Sequence, residues 1–244
     1  MNIQVAQAVM SFIALFIAYG IVATVAGSFR AWVAYMFGDD TGESLGQLSL
    51  DPRAHVDPLG VVMLLLLGFG WGRRVPINRS KMYGRFRNLK FVLAWLSDKV
   101  AYFVMSLLAI LFLYFSFGVK GVSVATMMIF QGRFTLAAFG QGFPEASSFS
   151  ISLGLIAVSV IFLSVLLIVF SIFLTLLRFF IHIVLCFFPE YKGYQDGIVL
   201  LVLFVIMFLG WSGIASFNFF IYLYLFVVKF LLFFANIFVG LFGA

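Results

Sequence analysis

The sequence predicts an all-α polytopic membrane protein, and three observations carry that prediction. Of its 244 residues, 64% are hydrophobic and only 10% are charged, whereas a soluble domain is roughly half apolar and a quarter charged. Mean hydropathy is +1.18, so lipid must be the solvent for most of the chain. The apolar runs follow one another with no soluble segment long enough to fold alone, which predicts one membrane domain over 1–244.

A spanning helix needs about 20 mostly apolar residues. Val5 to Ala26 meets that, and the helix is predicted to continue through Tyr35. Met1–Gln7 lacks the basic region and small-residue cleavage site of a secretion signal, so the first run is read as a retained helix. Residues 37–58 are polar, with Gly38, Asp39, Asp40, Gly42 and Gly46 marking turns. Within them, Gln47-Leu48-Ser49-Leu50 alternates polar and apolar, a weak strand signal. Leu59–Trp71 would rise only about 20 Å as a helix, short of the ~30 Å hydrocarbon core, which predicts a re-entrant helix.

Phe91–Gly118 is a full span carrying Asp98 and Lys99 near its start. Segment 119–150 is rich in Gly, Ser and Phe and is placed partly in the far interface. Ile151–Phe188 exceeds the length of one span, which predicts a tilt or a break after Arg178. Pro189–Gly197 reads as a polar turn, and Ile198–Leu241 has room for two tightly joined spans. The sum is about five spans plus one re-entrant helix, with the N-terminus outside.

Net charge is +6, and the basic residues concentrate between Arg73 and Lys90. A short basic loop between apolar runs is what the cytoplasmic face of a membrane protein carries. This argues against nucleic-acid binding and for a multi-pass protein of the cytoplasmic membrane, in contact with lipids. The single cysteine, Cys186, lies in an apolar run and excludes an intrachain disulfide.

One stretch carries a specific pattern. It reads Ala31-Trp32-Val33-Ala34-Tyr35 with Gly38-Asp39, then Gly46-Gln47-Leu48-Ser49-Leu50-Asp51-Pro52 with Ala54-His55-Val56-Asp57-Pro58-Leu59-Gly60, then Gly70-Trp71-Gly72 with Val75-Pro76-Ile77-Asn78. It resembles the small bacterial site-2 proteases, intramembrane zinc metalloproteases that read HExxHAWVAxxxGD, GRLTLNPLAHIDPLG and GWAKPVPVN. Order and spacing agree over Ala31–Asn78, so 1–90 is the matching half. Residues 91–244 match only in hydropathy, apart from an echo of the family's GPLSN at Ala94-Trp95-Leu96-Ser97-Asp98. The resemblance implies a helix bundle with a short membrane-associated β-hairpin and a groove that receives a partner's transmembrane segment.

The family's HExxH slot falls on Ala26-Gly27-Ser28-Phe29-Arg30. Two imidazoles at i and i+4 face one metal, and the intervening glutamate takes a proton from the metal-bound water. Ala26 and Gly27 have no ligating group, and Arg30 stays cationic and repels a divalent ion. The catalytic residues are lost at Ala26, Gly27 and Arg30. From this we expect no metal, no cofactor and no enzyme: a pseudoprotease.

The family's third ligand is an aspartate in an NxxPxPPxDG motif, to which Asp196-Gly197 is the nearest match. The asparagine expected eight residues earlier would fall at Phe188, and the intervening prolines are absent. Asp196 is either the vestigial ligand or part of a later loop. A site rebuilt from His55, His182 and Asp196 is a further alternative. Against it, His55 and Asp57, with Pro58, belong to a stretch that lines the groove in the family, where hydrogen bonds that hold the loop account for them. His182 lies among Phe179, Phe180 and Ile183, as a hydrogen-bonding group inside a bundle would.

Arg30, Asp98, Lys99, Arg178, His182 and Asp196 all fall in the cytoplasmic third. Ionisable groups there usually pair, which predicts Arg30 bound to Asp98 or Asp196; the competing reading has Arg30 reaching the headgroups. Lys229 sits mid-run in the last apolar segment, with no role assigned.

The leading functional expectation is a non-catalytic structural or regulatory subunit that holds transmembrane segments of other integral membrane proteins. The alternatives are an intramembrane zinc metalloprotease with atypical ligands, and a small transporter or channel using the buried charges.

Overall fold

A computed structural model describes residues 3–68, 70–131 and 134–186, together with 193, 198, 202, 229–233, 237 and 240. The chain separates into two compact units, Met1–Leu167 with Leu231–Ala244, and Ile168–Phe230. In the second unit, buried Ile181 and Leu185 pack with Leu174, Leu177, Ile198 and Val202.

The first helix, α1, runs Ile3–Met36 and is apolar on all sides, as a helix solvated by lipid must be. It ends where the chain needs a left-handed residue. Gly38 has φ 96°, its N–H bonds Tyr35 O at 2.9 Å, and Asp39 N bonds Ala34 O at 3.0 Å.

Three short helices follow. They are α2 (Thr41–Ser44), α3 (Pro52–His55) and α4 (Pro58–Leu67). The starts of α3 and α4 are written in the sequence as Asp-Pro. Asp51 accepts from Arg53 N and Asp57 accepts from Leu59 N, each at 2.9 Å, while Pro52 and Pro58 fill first-turn positions where no N–H is needed. Gly68, with φ 74°, closes α4. At ten residues, α4 rises about 15 Å, too short to cross a bilayer.

The next helix, α5, runs Arg87–Gln131 with a kink at Gly118, where φ is 64° and ψ is −166°. The segment expected at the far interface is thus helical as far as Gln131. Then comes α6 (Leu136–Gln141), capped by Thr135 and tied to α1 by Leu136 N donating to Ser11 Oγ at 3.1 Å. The last long helix among the described residues, α7, is Ser148–Cys186, and its backbone runs past Arg178 without a break. Gly154 of α7 meets the buried Phe139 ring, where a Cβ would come within 2.3 Å. Phe139 also packs with Phe117 and Phe143.

Two expectations are corrected. Three helices among the described residues are long and apolar enough to cross a membrane, Val5–Met36, Arg87–Ile129 and Ser148–Leu177, so the count of five spans is not supported. The two spans expected within 198–241 lie largely outside the described residues. The β-hairpin is also not supported: among the described residues there is no strand, only an isolated antiparallel bridge between Val56 and Gly72. The reason is where the backbone groups go. Gly46 N bonds Glu43 O and Gln47 N bonds Gly42 O, both at 2.8 Å, so the alternating Gln47–Leu50 stretch begins as a turn wound off α2.

Candidate functional site

The loops that carry the specific pattern are laid on one face of α1 whose residues are small. Ala23, Ala26, Ala31 and Ala34 are buried there. A Cβ on Gly42 would stand 3.0 Å from Ala31 Cβ, and one on Gly72 would stand 3.1 Å from Ala23 Cβ. Larger side chains on α1 would hold these loops away.

His55 makes the tightest of these contacts. It is wholly buried, and its Nδ1 lies 2.3 Å from where a Cβ on Gly27 would be. On the other side of the ring, Nε2 is 2.9 Å from both Ser28 Oγ and Ser49 O, and Ser28 Oγ donates to Ser49 O at 2.7 Å. A proton on Nε2 satisfies this set, because Ser49 O can only accept. Nδ1 is then a buried acceptor with no partner among the described residues.

A second crossing joins the later motifs. Gly60 and Gly70 meet backbone to backbone: a Cβ on Gly60 would stand 2.0 Å from Trp71 O, and one on Gly70 would stand 2.1 Å from Gly60 O. The buried Tyr19 of α1 donates to Trp71 O at 2.8 Å, and Arg73 N donates to His55 O at 2.6 Å. Asp39 closes the layer. Fully buried, its carboxylate accepts from Thr41 N at 3.1 Å, from the Thr41 hydroxyl, and from Asn78 N at 2.6 Å. Beside it, at the surface, Lys81 donates to Asp40. That bond and the ammonium charge hold the Asp40 carboxyl below its ordinary value, and the same bond holds the Lys81 amine above its own.

The charged residues are placed as follows. Arg30 Nη1 lies 3.2 Å from Asp98 Oδ2, and Lys99 Nζ lies 2.9 Å from Asp98 Oδ1. Of the two carboxylates expected to pair with Arg30, Asp98 is within reach, and Asp196 lies outside the described residues. So does the side chain of His182. Asp57 caps α4 and does not bond His55. Lys229 is exposed. Sequence reasoning passed over Ser28 and Ser49, which fix His55, and over Tyr19. No local signal marks them: Ser28 and Tyr19 act 27 and 52 positions away, on His55 and Trp71, and Ser49 meets His55 through its backbone carbonyl, which any residue has.

The site-2 protease pattern implies zinc, and the residues in the HExxH slot do not fit it. Ala26 is buried and bears only a methyl group, the space over Gly27 holds the His55 ring, and Arg30 is ion-paired to Asp98. Among the described residues, no three His, Cys, Asp or Glu side chains gather as a metal would require. No zinc-dependent step is derived from this slot.

Comparison with known proteins adds one finding. Over 127 residues the chain is 34% identical to "Putative zinc metalloprotease YwhC" of Bacillus subtilis (strain 168), covering 52% of each chain. The chain thus spans about half the length of the curated relative it matches. No protein-family model matches, and no solved structure matches.

This finding corrects the expectation that the chain is no enzyme, since the relative's description points to an enzyme. That expectation rested on three positions, and three positions report on one metal slot only. Three apolar helices of spanning length support a membrane protein, and half of the chain is similar to a protein described as a "Putative zinc metalloprotease".

Proposed function

We propose that this protein holds a transmembrane segment of another integral membrane protein, as a structural or regulatory subunit of a complex in the cytoplasmic membrane. One observation carries the reading. The loop layer over 42–78 meets α1 closely at Gly42, Gly60 and Gly72 and through the His55 ring over Gly27, and Gly60 and Gly70 cross within it backbone to backbone, which supports a preformed surface. Preorganisation lowers the ordering cost of receiving a partner. Leu50, Leu59, Val62, Leu65 and Leu66 are exposed on and beside that layer, and in lipid such side chains bind a helix through packing. The basic loop 73–90 supports a cytoplasmic position for this layer.

The test is a photo-crosslinking residue at Leu59 or Leu66 in cells, followed by purification in mild detergent. A discrete crosslinked membrane polypeptide is expected from these positions and not from Val119, an exposed residue near the kink of α5. Recovery of the bare monomer at all three positions would defeat the reading.

The relative's description favours a second reading, an intramembrane metalloprotease whose ligands lie outside 26–30. Holding a segment is common to both readings. Metal analysis of the purified chain separates them: stoichiometric zinc, with segment cleavage abolished by a chelator, establishes the second.

A further inference from the structure

Arg30, Asp98 and Lys99 meet where α1 lies against α5, with side chains 18%, 15% and 15% exposed. Among the described residues, one carboxylate lies between two cations, which leaves the cluster one positive charge in excess. Unmatched charge is expensive at this depth. Arg30 Nε is itself buried and without a hydrogen-bond partner among the described residues, so a donor is turned toward an acceptor these residues do not supply. Lys99 Nζ is fixed in place by Trp95 O at 3.0 Å and by the Trp95 ring, 4.0 Å from its centroid.

Helix geometry gives the depth. From Lys99 to Lys120, exposed just beyond the Gly118 kink, α5 rises about 30 Å, one hydrocarbon core. Val5 to Ala26 of α1 rises about as far, and Arg30 lies one turn beyond it. Both cations are therefore at the level where phosphates begin, on the side of the basic loop. Trp32, 49% exposed, and Trp95 flank them, as tryptophans do at that level.

We propose that this cluster binds the phosphate of an anionic phospholipid headgroup. A guanidinium presents paired donors that match phosphate oxygens, the ammonium adds a point charge, and one lipid monoanion brings the cluster to neutrality. The exposed basic residues of 73–90 raise the local concentration of anionic lipid around it. The site is independent of whether the protein holds or cuts its partner.

The test is native mass spectrometry of the full chain released from detergent, titrated with phosphatidylglycerol, phosphatidylcholine or inorganic phosphate. Phosphatidylglycerol is expected to be retained over phosphatidylcholine. Retention should fall about fivefold in Lys99→Gln and in Arg30→Gln, from the worth of one basic residue at a membrane surface. It should hold in Lys120→Gln, at the far face, and fall less in Arg79→Gln, in the exposed loop, than in Lys99→Gln. Should Arg30→Gln fail to fold, Lys99→Gln alone decides. Retention unchanged in Lys99→Gln, an equal loss in Arg79→Gln, equal retention of both lipids, or saturation by inorganic phosphate with no lipid bound would each overturn the proposal.

Discussion

The imidazole of His55 occupies the space above Gly27, its Nδ1 only 2.3 Å from where a Cβ would stand. The ring cannot step aside freely, because Nε2 is held by Ser28 and Ser49 and the whole side chain is buried. Gly27→Ala must therefore overpack this contact, at a cost of about 1–3 kcal/mol. The expected result is a lower thermal midpoint in detergent. Pairing it with His55→Ala should cost less than the sum of the two single changes, since the truncated side chain no longer opposes the methyl group. Strict additivity would show that the two residues do not share one space.

Gly60 and Gly70 present a harder case. Each added Cβ would strike a carbonyl oxygen of the opposing backbone, and a backbone cannot rotate away as a side chain does. Gly60→Ala and Gly70→Ala are expected to cost about 3 kcal/mol or more. Gly20 in α1 is the control, because a Cβ there meets nothing within 4 Å. Gly20→Ala should be neutral or stabilising by about 0.5–1 kcal/mol through helix propensity. Thermal unfolding of the three variants in one detergent checks the order.

These contacts explain what the sequence reveals and what it hides. The extent of α1 and the shortness of α4 were legible because apolar length is a local signal, whereas α3 was not expected within the polar 37–58 stretch. The hairpin was misread because alternation over Gln47–Leu50 says nothing of partners, and the chain there is bonded back to α2. Gly27 was visible only as a missing glutamate, since its packing partner lies 28 positions away. The charges at 30 and 98 were legible as a need for pairing. The choice of partner was not, because it depends on how α1 and α5 cross.

Asp39 accepts from both sides of a loop closure, Thr41 on one side and Asn78 on the other. Asp39→Asn keeps one acceptor oxygen and turns an NH2 toward a backbone donor. A buried unmet donor costs about 1–3 kcal/mol, and the strand of chain leading to Arg79, Lys81 and Arg85 loses its anchor. Trypsin should cut within 79–86 faster in this variant than in the parent, read by mass spectrometry of the early fragments. Unchanged cleavage would mean that the loop is fixed by other contacts.

At the surface beside Asp39, the Asp40–Lys81 bond responds to pH. Lys81 holds the Asp40 carboxyl below its ordinary 3.8, so that contribution is present above about pH 4 and lost as pH falls through the lowered value. Asp40 holds the Lys81 amine above its ordinary 10.5, so this contribution is complete below that value and lost as pH rises through the raised one. The tie therefore spans neutrality and opens at either extreme. At pH 9 the Lys81 amine should acylate more slowly than an unpaired lysine, and Asp40→Asn should speed it. Equal rates in the two proteins would exclude the pair in solution.

The Arg30–Asp98 contact predicts an asymmetry between its two partners. Asp98 serves two cations, at 3.2 Å and 2.9 Å, whereas Arg30 pairs, among the described residues, with this one carboxylate. Removing the arginine leaves Asp98 bound to Lys99. Removing the carboxylate leaves Arg30 and Lys99 facing each other with nothing between them, and like charges in a poorly hydrated setting repel strongly. Asp98→Asn should thus destabilise more than Arg30→Gln. Interhelical polar contacts in membranes are worth about 1 kcal/mol, so the double variant should recover roughly that much relative to additivity. A cycle measured by thermal unfolding in detergent gives both quantities. If Arg30→Gln proved the costlier change, the arginine would be bound chiefly by something other than Asp98.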